Sequence, residues 1–187
     1  MAERPLRADA RRNRDRLLEV AVLAFSSAGP DVALETIARS AGVGIGTLYR
    51  HFPTREAMVE AVYRDELDRL CDSVAELLAA CEPDRALRVW MERFVDYLAA
   101  KRGMAEAVRM VINSGGAPFA HSLERLTDAL TMLLDAGIRA GTVRADVPVM
   151  DVLTCLNGVT LAAGGAGQRE QAGRLLDLMM DGLRPRH

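Results

Sequence analysis

The stretch from Leu34 to Arg55, LETIARSAGVGIGTLYRHFPTR, leaves this chain few folds to choose from. Leu34, Ile37, Ala38 and Ala41 fall at i, i+3, i+4 and i+7 and make one apolar face of a first helix. Gly42 follows at once, at a place where a left-handed residue costs glycine least. Val43 and Ile45 return to apolar surface, and Gly46 to Phe52 reads as a second short helix that Pro53 helps to end. Two short helices joined by a three- to four-residue turn with glycine form the helix-turn-helix pattern. Its second helix lies in the DNA major groove.

The second helix carries the chemistry. With Leu48 and Phe52 turned to the core, Thr47, Tyr49, Arg50 and His51 crowd the remaining surface. Hydroxyl, phenol, guanidinium and imidazole groups on barely two turns suit phosphates and base edges. A solvated surface helix would show much the same composition, so these residues alone leave both readings open.

The order of residues narrows the choice. AGVGIGTLYRHFPTREAM, with LETIA before it, resembles the DNA-binding signature of the TetR (tetracycline-repressor-like) family of bacterial one-component regulators. The resemblance covers roughly Asn13 to Leu70, and the later helices match in number and length. It implies an all-α homodimer of about nine helices, with an N-terminal three-helix DNA-reading domain. A long fourth helix would join this to a C-terminal helical ligand-binding and dimerisation domain. By position, Ile45, Gly46 and Thr47 approach bases or backbone, and Tyr49 and His51 grip phosphates; Gly44 and Arg50, beside them in the chain, are counted with the DNA-binding residues. Thr36 stands where the family's second helix meets the backbone, and Arg55 where a Lys usually opens the fourth helix. Two positions depart from the pattern. Ala33 and Gly44 replace the Ser or Thr that usually caps helices two and three, which weakens those caps.

Charge agrees with a DNA-reading end. Up to Glu56 nine Arg face seven acids, whereas from Ala57 onward fifteen Lys and Arg face nineteen acids. A basic excess beside the helix-turn-helix is what a localised DNA footprint requires, and an acidic remainder discourages DNA elsewhere. Residues 1–12 read as a basic N-terminal arm, with six Arg between positions 4 and 16. Residues 13–56 read as the helix-turn-helix domain and 57–187 as the ligand and dimer domain. Such arms reach into minor grooves or lie along phosphates, and also occur as plain solubilising tails.

Further helices follow from periodicity. One is expected over about 11–28. A long one over about 55–81 has Tyr63, Leu67, Leu70, Val74, Leu77 and Cys81 in one seam. At ~1.5 Å per residue it spans about 40 Å. The next, Asp84 to Arg102, holds the sole Trp of the chain, with Trp90, Phe94 and Tyr97 on its apolar side. These three aromatics, with Met110 and Phe119 nearby in sequence, are ordinary core or else the wall of an effector cavity. A short helix is expected over 103–113, a glycine-proline break over 114–118, and a helix over 118–140 with Leu123, Leu126, Leu130, Leu133 and Leu134 in its stripe. Two last helices, near 148–164 and 168–183, carry apolar residues on more than one side. The resemblance implies that this pair forms the homodimer interface.

Other chemistries find little footing. The chain has no GxSxG, Walker or GxGxxG motif, and the GVGIG glycines lack the preceding strand a phosphate loop needs. Neither a catalytic site nor a metal site nor a cofactor is expected, since His51, His121 and His187 are scattered. Cys71, Cys81 and Cys155 follow no CxxC spacing, and read as free thiols of a cytoplasmic protein. The longest uncharged stretch, Val152 to Gln168, falls short of the ~20 apolar residues of a membrane span. The resemblance, with the aromatic run on the fifth helix, leads to the expectation of a ligand-responsive repressor that binds a (pseudo)palindromic DNA operator as a dimer and is released by a small apolar or amphipathic effector. A small helical enzyme or ligand carrier with a vestigial DNA-binding segment is the second reading.

Overall fold

The computed structural model describes residues 3–29, 31–113, 121–162 and 168–185. Among these residues it contains nine helices and no strand. They are α1 (Glu3–Ala28), α2 (Leu34–Ser40), α3 (Ile45–His51), α4 (Arg55–Ala80), α5 (Pro83–Gly103), α6 (Ala105–Asn113), α7 (Ser122–Arg139), α8 (Val149–Ala162) and α9 (Arg169–Leu183). No helix among the described residues is long and apolar enough to cross a membrane.

The described residues divide into two compact units. The first takes in the chain up to Glu66 and the residues from Ala100 to Asn113. In it α1, α2 and α3 pack on one another around Leu17, Leu18, Ala21, Phe25, Ile37 and Leu48, all buried. Met58, Val59 and Val62 of α4 are buried too. The second unit holds Leu67–Ala99 and the described residues from His121 onward. There α7 packs on α8 and α8 on α9, with Leu130, Leu133, Leu153, Leu156 and Leu176 buried. This division differs from the sequence-based one. Pro53 punctuates the chain before α4, but a helix packs along its whole length, so the compact units part within α4 and α6 groups with the first unit.

Three expectations about individual elements need correction. Residues 3–12, taken for an arm, are the start of α1. Ala8, Ala10 and the arginines are strong helix formers, and Pro5 falls in the first turn, where no N–H partner is needed. α7 begins at Ser122, not at 118, directly after His121 in left-handed conformation (φ 67°). Leu123, placed in the apolar stripe of that helix, is exposed. The 114–118 break itself lies outside the described residues.

At the end of α7 the chain turns back tightly. Gly141 has a φ of +69°, and Thr142 and Val143 both donate backbone hydrogen bonds to the Gly137 carbonyl. A Cβ on Gly137 would lie 2.5 Å from Val143 Cγ2, so the turn closes only over a glycine. Arg144 then donates its amide to Leu183 at the end of α9, at 2.8 Å.

Candidate nucleic-acid interface

The turn between α2 and α3 is built by the backbone. Gly42 adopts φ +64°, its amide donates to Arg39 and the next amide, Val43, reaches back to Ala38 at 2.9 Å. A glycine in this conformation satisfies the last carbonyls of α2 and redirects the chain. The site of its absent Cβ is 2.9 Å from Arg16 Nη2, so one arginine of the basic stretch rests on the turn. Both unusual caps are real. Ala33 and Gly44 are extended N-cap residues of α2 and α3, and neither makes a side-chain cap bond. Helix α4 is capped better: the Thr54 hydroxyl accepts the Ala57 amide at 3.1 Å. Thr just after Pro53 and just before a helical pattern is a readable N-cap signal that the sequence analysis passed over.

Helix α3 sorts its residues cleanly. Leu48 and Phe52 are buried, as their spacing requires. Ile45 and Tyr49 are 38% and 44% exposed, large side chains for an open surface. Gly44, Gly46 and Arg50 are exposed, and Thr47 and His51 half-buried. A Cβ on Gly44 or Gly46 would meet nothing within 4 Å, so internal packing does not demand glycine there. Their smallness instead leaves the backbone at the start of α3 open to approach from outside. The Arg50 guanidinium folds along its own helix, donating from Nε to the Gly46 carbonyl and from Nη2 to Thr47 Oγ1, each at 3.1 Å.

Thr36, on α2, is half-buried. Arg55 Nη1 donates to the Val32 carbonyl at 2.7 Å, tying the first residue of α4 to the segment before α2. Its guanidinium is therefore a structural clamp as well as a cation, a role that spacing could not show.

Comparison with known proteins agrees with this geometry. Residues 17–62 match the family model of bacterial regulatory proteins of the tetR family. Residues 82–185 match that of the SbtR-like transcriptional regulator C-terminal domain. The TetR transcriptional regulator SCO0520 from Streptomyces coelicolor is similar in structure, with a TM-score of 0.90 and 53% identity over 93% of this chain and 99% of that one. The chain belongs to the TetR family. A TetR transcription regulatory protein from Mycobacterium vanbaalenii is similar too, at 40% identity and a TM-score of 0.80, covering 97% of this chain and 100% of that one. The HTH-type transcriptional repressor KstR2 of Rhodococcus jostii is 25% identical over 93% of this chain and 92% of its own.

The TetR-family assignment makes the chain a DNA-binding, ligand-responsive transcriptional regulator, not an enzyme. Regulators of this family bind DNA operators and small-molecule effectors, typically as dimers. Within the segment that matches the SbtR-like C-terminal domain, Trp90, Phe94 and Tyr97 lie together on α5 and all three are buried. Their rings form a tilted run, with centroids 5.7 Å apart for Trp90–Phe94 and 6.4 Å for Phe94–Tyr97. Met110 is half-buried on α6, in the first unit, and Phe119 lies outside the described residues. A separate cleft of about 290 Å³ opens elsewhere in the second unit, lined by Val89, Arg93, Asp96, Arg169, Ala172 and neighbouring residues of α5 and α9. Sequence periodicity gave no sign of it, because its wall combines residues far apart in the chain. Across it Arg169 Nη2 pairs with both oxygens of Asp96, at 2.7 and 2.6 Å.

Proposed function

We infer that this TetR-family regulator represses transcription by binding a (pseudo)palindromic operator as a homodimer and letting go when a small effector binds. The observation that carries the DNA-reading part is the open face of α3 over its buried Leu48–Phe52 anchor. On that face Gly44, Ile45, Gly46 and Thr47 are assigned to bases and nearby backbone, and Tyr49 and His51 to phosphates. Arg50 supports the same surface, while Thr36 and Arg55 flank it on α2 and α4. A relative described as a transcriptional repressor supports the sign of regulation.

The dimer reading rests on α8 and α9. In the single chain Leu161 and Leu178 are 78% and 65% exposed, with Met150 also open. Large apolar side chains at such exposure call for a partner surface, and a two-fold copy supplies an identical one. Two identical reading helices then require an inverted repeat in the DNA.

The effector is assigned to the Trp90, Phe94 and Tyr97 run. These rings are packed, and Trp90 Nε1 donates to the Leu70 carbonyl of α4. An effector that reaches them must separate α4 from α5 there. It releases DNA only to the extent that it binds one arrangement of the protein better than the other. The α5–α9 cleft favours a second effector reading, a polar ligand held by Arg93, Asp96 and Arg169.

Duplexes selected from a random pool and sequenced test the whole reading. An inverted repeat is expected, and a single asymmetric site protected over one turn would overturn the dimer model. Titrating candidate effectors while following the sole tryptophan, with and without operator, tests the rest. A coupling of ~1–3 kcal/mol shifts operator affinity about 5- to 150-fold, and operator must weaken effector binding by the same factor. An effector that releases DNA, leaves Trp90 emission unchanged and is lost on Arg169→Ala belongs in the α5–α9 cleft instead.

A further inference from the structure

The two hydrogen bonds of Arg50 bear on how the operator is read. In the described helices Thr127, Thr131, Thr154 and Thr160 all donate their hydroxyl to a carbonyl three or four residues back, at 2.7–2.8 Å. Thr47 does not. It sits in the first turn of α3, and the carbonyl it would use, that of Gly44, already accepts the Thr47 and Leu48 amides at 2.8 and 3.1 Å. Its oxygen instead accepts an N–H from Arg50 Nη2, and the same guanidinium is anchored by Nε on the Gly46 carbonyl. A hydroxyl has one proton and two lone pairs. With a cation bound to the oxygen, the proton is the group left without a partner among the described residues, and the adjacent positive charge opposes the approach of another donor.

We propose that Arg50 is a positioning residue that holds the Thr47 hydroxyl as a hydrogen-bond donor, so that α3 selects a base-edge acceptor at one operator position. This rests on the DNA-reading assignment of α3 given above. Major-groove acceptors are guanine N7 and O6, adenine N7 and thymine O4, whereas cytosine N4 and adenine N6 present donors. The position read by Thr47 therefore offers an acceptor on the contacted strand (guanine, thymine, or adenine through N7), and cytosine, which presents only a donor there, is disfavoured. Arg50 contributes to sequence preference without touching a base.

Random-pool selection with the full chain decides the matter, using wild type, Thr47→Ala, Thr47→Ser, Arg50→Ala and the Thr47→Ala/Arg50→Ala double variant. Thr47→Ala and Arg50→Ala are expected to relax the same base-pair position, each losing a preference of about fivefold or more. The double variant is expected to relax it no further than Thr47→Ala alone. Thr47→Ser keeps the preference, because only the hydroxyl is used. Arg50→Met, which retains the side-chain stem, replaces Arg50→Ala if the latter melts below wild type. The proposal is overturned if Arg50 variants weaken all duplexes alike and leave the preference intact, as a plain phosphate contact would. It is equally overturned if the two single variants relax different positions or their effects multiply. A wild-type chain that selects no sequence at all refutes the DNA-reading assignment itself, an outcome visible before any variant is compared.

Discussion

Trp90 donates its indole N–H to the Leu70 carbonyl at 3.1 Å, joining α5 to α4 inside the core of the second unit. The same carbonyl accepts the Ser73 hydroxyl at 2.8 Å, and both Trp90 and Ser73 are buried. Leu70 thus gathers two side-chain donors in addition to its place in the helix ladder. The relationship explains how the sole tryptophan of the chain can be fully buried with its polar atom satisfied.

Trp90→Phe removes that bond and leaves a void where the second ring was. A loss of about 2 kcal/mol is expected from the missing hydrogen bond and the unfilled volume. Urea unfolding followed by far-UV circular dichroism measures it. A midpoint equal to wild type would show that the α4–α5 seam closes around the smaller ring at no cost.

Gly137→Ala pits propensity against packing. Alanine in mid-helix is worth up to about 1 kcal/mol over glycine. Here its Cβ would lie 2.5 Å from Val143 Cγ2 and 3.0 Å from Val143 Cβ. Val143 is itself buried, so it cannot swing away. Net destabilisation of about 1–3 kcal/mol is expected. The double variant Gly137→Ala/Val143→Ala should recover part of it, and failure to do so would place the strain elsewhere.

Ala33→Ser should act in the opposite direction. Ala33 already has N-cap geometry (φ −64°, ψ 132°) and lacks only an oxygen to accept an orphan amide of α2. A gain of ~0.5–1 kcal/mol is expected. The reverse experiment is Thr54→Ala, which removes an existing cap bond to Ala57 and should cost about 1 kcal/mol. Thermal melts of both variants check the pair, with opposite signs as the expected result.

Burial pushes the Cys71 thiol up to about 11, against the opposing pull of the Arg125 guanidinium. Its sulfur lies 3.5 Å from the Arg125 carbonyl. The folded state therefore holds this proton more tightly than the unfolded state, whose thiol has the ordinary value of 9.0. Below pH 9 both states are protonated and Cys71 adds no slope. As pH rises from 9 towards 11 the unfolded state ionises first, and stability falls by something on the order of 1 kcal/mol. Denaturation of wild type and Cys71→Ala across that window isolates the effect, because other groups cancel in the difference. A difference that stays flat with pH would show that Cys71 is not the source.

The buried and open sides of α3 were legible in the sequence because they depend on neighbours. Leu48 and Phe52 at i, i+4 and the glycine at position 42 fix a helix, its buried side and its turn through contacts within twenty residues, so spacing alone determines which side chains stay outside. The same holds for the α4 seam, whose Tyr63, Leu67, Leu70, Val74 and Leu77 are all buried. The placement of charged and aromatic groups that meet partners far along the chain was left to the tertiary structure. Arg55 on the Val32 carbonyl, Trp90 on Leu70 and Arg169 on Asp96 are set by which helices become neighbours. The same cause separates the buried leucines of α7 from the exposed Leu123, and brings α6 into the first unit. Helical periodicity records that a face is apolar. Only packing decides what that face meets.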